Sequence, residues 1–352
     1  MNTRDFPGWF AASAVLGAFL ASSVFAQEDL RGPIRRLLEG PIAPAGDITV
    51  ISGPAPSSLE KSTYESGDYE RRIAVDERQR KYLIHVPALY RKNKAAAVVL
   101  NFHGGASNAY QQRQRSRMDR TSDDKGFIVV YPDGMGYRNG KHSYNVGPGY
   151  GFPWKNKIDD VHFVEILLDD LAKLFHVDPE RIYSTGFSNG AMMCYRLAAD
   201  LPERIAAIAP VSGSLPLDYL SFEKPISIIH FHGLEDRQYP FAGGMGQRVF
   251  SNQPLFEFAS VKGTLDWYIK KNNCPVKTAK TSRKGKAVCR VFGPGNGGAE
   301  VVLWTLEDGG HTWPNGDHRI KQLGNVNLDV KPNELMWEFF KQHPLPRTSR
   351  ND

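Results

Sequence analysis

The chain has 352 residues, 41% of them hydrophobic, and a formal net charge of +6. That is enough apolar material for one large α/β domain or two smaller ones with a full core. Cations gather at 78–94, 113–120 and 277–290 with no aromatic platform between them, a pattern of solvated faces. It argues against a nucleic-acid partner and leaves attraction to an acidic polymer surface open.

The first 26 residues read as a signal peptide: Arg4 supplies a thin positive region, 10–20 is apolar, and Val24-Phe-Ala26 offers small residues for cleavage before Gln27. An uncleaved anchor is the alternative, because the uncharged run nearly reaches spanning length. No later stretch is apolar and long enough to cross a membrane, so no membrane partner is expected after cleavage. Residues 27–68 are rich in Pro, Gly, Ser and Ala and read as an extended lead-in.

From Tyr69 the pattern is that of a folded domain. Residues 71–75 and 81–86 resemble an antiparallel strand pair at a sheet edge, turning at 76–78. The run 95–102 is continuously apolar and predicts a central parallel strand ending in His103-Gly-Gly105; 127–131 predicts another. The aromatic, glycine-rich stretch 135–157 reads as a functional loop. Asp159 or Asp160 caps a predicted helix reaching 175. Buried strands follow at 205–211 and 226–231, then a helix around 255–270, a loop between Cys274 and Cys289, a strand at 300–306 and a closing helix at 333–342. Alternating strands and helices imply one α/β domain, 69–346, with a doubly wound, mostly parallel sheet, and a tail at 347–352.

Of the three cysteines, Cys274 and Cys289 flank a basic, turn-rich segment and are expected to pair if the chain is exported. Cys194 reads as a small buried apolar residue. Nothing has the spacing of zinc ligands, and no metal is expected. Gly293-Pro-Gly-Asn-Gly-Gly298 satisfies G-x-G-x-x-G but precedes a strand, so no helix N-terminus is there to hold a phosphate.

The chemistry centres on Gly186-Phe-Ser-Asn-Gly190. A predicted strand precedes it and a helix follows, the context in which G-x-S-x-G holds a serine on a tight turn. Ser188 is the candidate nucleophile. A serine hydroxyl needs a base, and His311, on a glycine loop after the late strand, is the candidate. Asp236, after the strand 226–231, completes the chain order Ser, Asp, His; Glu235 is the neighbouring alternative. Backbone N–H groups of Gly105 and Asn189 are candidates for an oxyanion site. Tyr144, Trp154, Tyr239 and Trp313 are the aromatic candidates for substrate contact.

The order of these motifs resembles the secreted esterases of the polyhydroxybutyrate depolymerase and feruloyl esterase group. The likeness covers about 69–343 and rests on Phe-His-Gly-Gly at 102–105, Tyr-Pro-Asp-Gly at 131–134, Ile-Asp-Asp-Val at 158–161, Val-Asp-Pro-Glu-Arg-Ile-Tyr at 177–183, Gly-Phe-Ser-Asn-Gly at 186–190, His-Gly-Leu-Glu-Asp at 232–236 and Gly-Gly-His-Thr-Trp-Pro at 309–314. The resemblance implies an α/β-hydrolase fold, no cofactor, a triad on Ser188, Asp236 and His311, and a polymeric ester substrate. Gly105 stands where many relatives have cysteine, and Tyr144-Asn145 where many have Trp-Asn, which bears on acyl preference. Acyl transfer to an alcohol and a non-catalytic binding module are the competing readings.

Overall fold

The computed structural model describes residues 48–53, 64–136, 140–215, 224–248, 254–277, 279–317 and 320–346. The expected signal segment, much of the lead-in, the tail and His318 lie outside them. The strands are β1 (Ile48–Ser52), β2 (Gly67–Val75), β3 (Arg78–Val86), β4 (Ala96–Phe102), β5 (Ile128–Pro132), β6 (Val177–Phe187), β7 (Ala207–Val211), β8 (Ser227–Gly233), β9 (Gly244–Gln247), β10 (Pro254–Phe258), β11 (Lys280–Lys284), β12 (Ala287–Phe292) and β13 (Val301–Leu306). Eleven of them form one sheet in the order β1-β2-β3-β5-β4-β6-β7-β8-β13-β12-β11; β9 and β10 pair separately. From β5 through β13 every neighbouring pair in that order is parallel, and the strands outside this block are antiparallel. The central strands β4, β5, β7, β8 and β13 are buried along their whole length, as a sheet covered on both faces requires.

Helices cover both faces. They are α1 (Ala109–Ser116), α2 (Met118–Lys125), α3 (Gly151–Lys155), α4 (Asp160–Leu174), α5 (Asn189–Asp200), α6 (Val261–Lys271) and α7 (Pro332–Phe340). Apolar residues of α4, α5 and α6 pack in one core cluster, and those of α1, α2 and α7 in the other. α4 begins where its cap is expected: the Asp159 carboxylate accepts from the amides of Val161 and His162.

Several elements differ from the sequence reading, each for a local reason. The β2–β3 hairpin turns on Asp76 and Glu77, both at positive φ (49° and 60°), and is not the edge, because β1 from the lead-in pairs outside it. Residues 254–258 are strand β10, and α6 starts only at Val261, where the Ser260 hydroxyl caps Gly263. The segment between Cys274 and Cys289 contains strand β11, paired in register with β12. α1 and α2 have polar sequences, AYQQRQRS and MDRTSDDK, that carry no helical apolar pattern.

The expected Cys274–Cys289 disulfide is absent: all three cysteines are free and buried. Cys274 follows α6 and belongs to the core cluster on that face. Cys289 belongs to the opposite cluster, with Trp337 and Phe340 of α7. Alternation along β12 turns Cys289 away from Cys274, so the sheet separates the two thiols.

Candidate active site

The parallel strand order reverses at β4: the chain passes outward to β5 and returns to β6 on the other side. The crevice beyond the carboxyl ends of β4 and β6 is where such sheets offer a site. β6 leads directly into α5 through Ser188, whose backbone sits at φ 58°, ψ −119°. A Cβ on Gly186 would lie 2.5 Å from the Gly190 carbonyl oxygen, and one on Gly190 only 2.3 Å from that of Phe102. Only glycine lets strand and helix approach so closely. The Ser188 amide donates to the Val211 carbonyl at 2.9 Å, fixing the turn to β7.

Three loops converge on Ser188. His311 Nε2 lies 3.0 Å from Ser188 Oγ, and His311 Nδ1 lies 2.8 Å from Asp236 Oδ2. The other oxygen, Asp236 Oδ1, accepts the amides of Gln238 and Tyr239 at 2.9 and 2.8 Å. Those donors hold the carboxylate in a single orientation. Glu235, the alternative acid, is exposed at the rim of the cleft beside Asp236 and His311. The β8 and β13 loops abut because both carry glycine: a Cβ on Gly233 would lie 2.1 Å from the Gly309 carbonyl oxygen. His311 is further held by its amide, which donates to Leu323 at 2.7 Å.

Gly105 is exposed beside Asn189; a Cβ built on it would stand 3.7 Å from Asn189 Cβ. The Asn189 amide lies in the first turn of α5, where a helix leaves its N–H groups unused. Its side chain is committed elsewhere, accepting from the Tyr144 amide at 2.7 Å and donating to the Tyr144 carbonyl at 3.2 Å. His103 braces the Gly104-Gly105 turn: Nδ1–H donates to the Gly104 carbonyl at 2.7 Å, and Nε2 accepts the Gly134 amide at 2.9 Å.

Of the four aromatic candidates, only Tyr239 joins the triad. Its ring lies parallel to that of His311, and burial pushes its hydroxyl well above the ordinary tyrosine range. Tyr144 and Trp313 are buried and held by internal partners. Tyr144 is fully buried, its hydroxyl donating to the Pro132 carbonyl, and Trp313 is fixed in the α7 cluster with its indole N–H on Asn333. Trp154 is exposed and lines a different cavity, with Lys155, Asp159 and Arg196 but no triad residue. An open cleft of about 650 Å³ lies beside Asp236 and His311, lined also by Arg237, Gln238, Lys321 and Asn325 but not by Ser188.

The sequence reading missed two neighbours. Phe187, the variable residue of G-x-S-x-G, packs on the His311 ring at 4.6 Å, and the Arg115 guanidinium lies over Phe187 at 4.7 Å. Burial pushes the Arg115 pKa down to about 10. No local pattern marks Arg115, because the contact depends on how α1 docks. Among the described residues, Asp68, His85 and Asp119 could in principle gather around a cation. Arg113 already fills that place, 2.6 Å from Asp68 and 2.5 Å from Asp119.

The parallel sheet, the serine turn and the loops at its rim are those of an α/β-hydrolase. A solved acetyl xylan esterase from Aspergillus awamori has this fold, with a TM-score of 0.50 and 16% identity, over 74% of this chain and 94% of that one. A family model described as Esterase PHB depolymerase matches residues 81–240. Feruloyl esterase B of Piromyces equi is 28% identical over 272 residues, 76% of this chain and 46% of that protein. The bifunctional acetylxylan esterase/xylanase XynS20E of Neocallimastix patriciarum is 25% identical over 239 residues, 66% of this chain and 31% of that protein. The chain thus spans less than half the length of these two relatives. It is similar to esterases of the polyhydroxybutyrate depolymerase and feruloyl esterase group, on an α/β-hydrolase fold.

Proposed function

We propose that this chain is a carboxylic ester hydrolase working through a serine acyl-enzyme. The observation that carries the reading is the continuous hydrogen-bonded line from Ser188 Oγ through His311 to Asp236. Ser188 Oγ attacks the ester carbonyl while His311 Nε2 takes its proton. The carbonyl oxygen gains negative charge between the N–H groups of Gly105 and Asn189. Collapse breaks the bond to the leaving alcohol, which receives the proton from His311. Water then repeats the sequence, with His311 as base, and releases the acid. Asp236 holds Nδ1–H in place and offsets the imidazolium charge in both halves.

The substrate we propose is an acyl ester on a polysaccharide, feruloyl or acetyl, because the names of both curated relatives point there. Export is part of the reading and rests on the signal-like residues 1–26. Among the described residues no helix is long and apolar enough to cross a membrane. The test compares methyl ferulate, acetylated xylan and short-chain polyhydroxybutyrate with the mature protein. Release of ferulate or acetate is expected; turnover of the polyester alone overturns the substrate assignment. Ester product outrunning free acid when an alcohol is added would instead identify an acyltransferase.

A further inference from the structure

Behind the triad lies a second hydrogen-bonded line that the mechanism above does not use. His230 and His232 point to the same side of β8, and both are fully buried. Tyr195, two turns into α5, meets His230 Nδ1 at 2.8 Å; His230 Nε2 meets His232 Nδ1 at 3.1 Å; His232 Nε2 meets the Tyr239 carbonyl at 2.7 Å. A carbonyl can only accept, so His232 carries its proton on Nε2. Its Nδ1 must then accept, which puts the His230 proton on Nε2 and leaves His230 Nδ1 to accept from the Tyr195 hydroxyl. One carbonyl thus sets the polarity of the whole line. Burial lowers the pKa of both imidazoles and raises that of the phenol, so all three stay neutral.

The far end of this line touches the catalytic acid. His232 Nε2 lies 3.5 Å from Asp236 Oδ2, the oxygen that accepts from His311. The carbonyl it holds belongs to Tyr239, whose amide binds Asp236 Oδ1 and whose ring lies against His311. We infer that His232, oriented by His230 and Tyr195, is a positioning residue that fixes Asp236 and Tyr239 relative to His311. This rests on the triad reading and adds a residue to it.

The test measures steady-state kinetics on p-nitrophenyl acetate together with the low-field proton resonance of His311 Nδ1–H. His232→Phe is expected to lower kcat about 10- to 100-fold, as small misplacements at a reacting centre do, with KM changed little. The resonance should shift or disappear. His232→Gln, whose amide N–H reaches the position of Nε2, should restore most of kcat and the resonance. Tyr195→Phe removes one hydroxyl without changing the ring and should lower kcat severalfold; it carries the test should His232→Phe fail to fold. Unchanged kcat and resonance in folded His232→Phe or Tyr195→Phe overturns the inference, as does a folded His232→Gln no better than His232→Phe. Ser188→Ala separates the two readings: activity surviving there refutes the triad, whereas its loss beside a fully active His232→Phe refutes only the positioning role.

Discussion

The imidazole of His311 lies nearly flat against the Tyr239 ring, with centroids 5.2 Å apart and planes 11° apart. Tyr239 is itself stacked on Phe258 at 4.2 Å, so the base leans on a two-ring wall rooted in β10. The ring supplies this support, while the hydroxyl lies 3.6 Å from the Met192 sulfur and also interacts with the Ser188 side chain. Tyr239→Phe keeps the ring and should lose less kcat on p-nitrophenyl acetate than Tyr239→Ala. Tyr239→Ala, which leaves His311 free to tilt, should lose about tenfold or more.

Ser188, the proposed nucleophile, sits at a backbone angle that a side chain adopts under strain, of order 1–3 kcal/mol. Activity and stability should then move in opposite directions. Ser188→Ala is expected to cut kcat by on the order of 10⁶-fold, as loss of the nucleophile does in serine hydrolases. Ser188→Gly should be equally inactive yet more stable than the parent by about 1 kcal/mol, because glycine adopts this angle freely. Denaturant midpoints of the three proteins check the second half.

The parallel core was legible because its strands are short apolar runs bounded by glycine and proline, and the helix at 160–174 because its cap and its apolar face agree. Ser188, Asp236 and His311 were legible because each follows a strand in a fixed order. Tyr144 and Trp313 misled for the converse reason. A large aromatic near a motif can be wall or core, and sequence records neither the 0% exposure of Tyr144 nor the Asn333 partner of Trp313. α1 and α2 were invisible because they bury few apolar residues, chiefly Ala109 and Met118. The disulfide failed on strand parity, which spacing alone does not reveal.

Arg80 and Asp160 form an ion pair at 2.5 Å, with side-chain exposures of 2% and 0%. Asp160 also accepts the Asn145 amide at 2.6 Å, and Arg80 packs over Phe163. Removing the cation strands a buried carboxylate beneath the segment that Asn189 grips. Arg80→Met should cost about 3–5 kcal/mol in urea unfolding, and adding Asp160→Asn should recover part of that loss.

Asp68 and His85 meet at 2.7 Å between β2 and β3. Burial works against the Asp68 charge, but hydrogen bonds from His85, Arg113 and Ser52 hold its carboxyl well below the usual range. Burial likewise opposes the His85 charge, but the Asp68 hydrogen bond and the charges of Asp119, Asp68 and Asp123 together outweigh it, leaving the His85 pKa raised. A depressed Asp68 stabilises above its unfolded value, about 3.9, and that contribution fades as pH falls below it. A raised His85 stabilises fully below about 6.5, and its contribution fades as pH climbs through the folded value. The pair contributes most between those limits. Tm measured against pH should show His85→Gln losing stability near pH 5 and converging on the parent at alkaline pH.

The cysteines give a prediction that separates this fold from a disulfide-stapled one. The Cys194 thiol donates to the Gly190 carbonyl at 3.2 Å, and burial pushes its pKa up to about 12. Burial pushes Cys289 up to about 11 and also raises Cys274. Thiols held protonated and covered react slowly. Iodoacetamide should label the native protein little, and unfolding in denaturant without reductant should release three titratable thiols. Dithiothreitol should leave Tm unchanged, because no cross-link restrains the unfolded chain. A drop in Tm on reduction, with only one thiol titrating beforehand, would mean that Cys274 and Cys289 meet after all. That requires β12 to shift its register by one residue, which would turn Ala287 and Cys289 out of the α7 cluster.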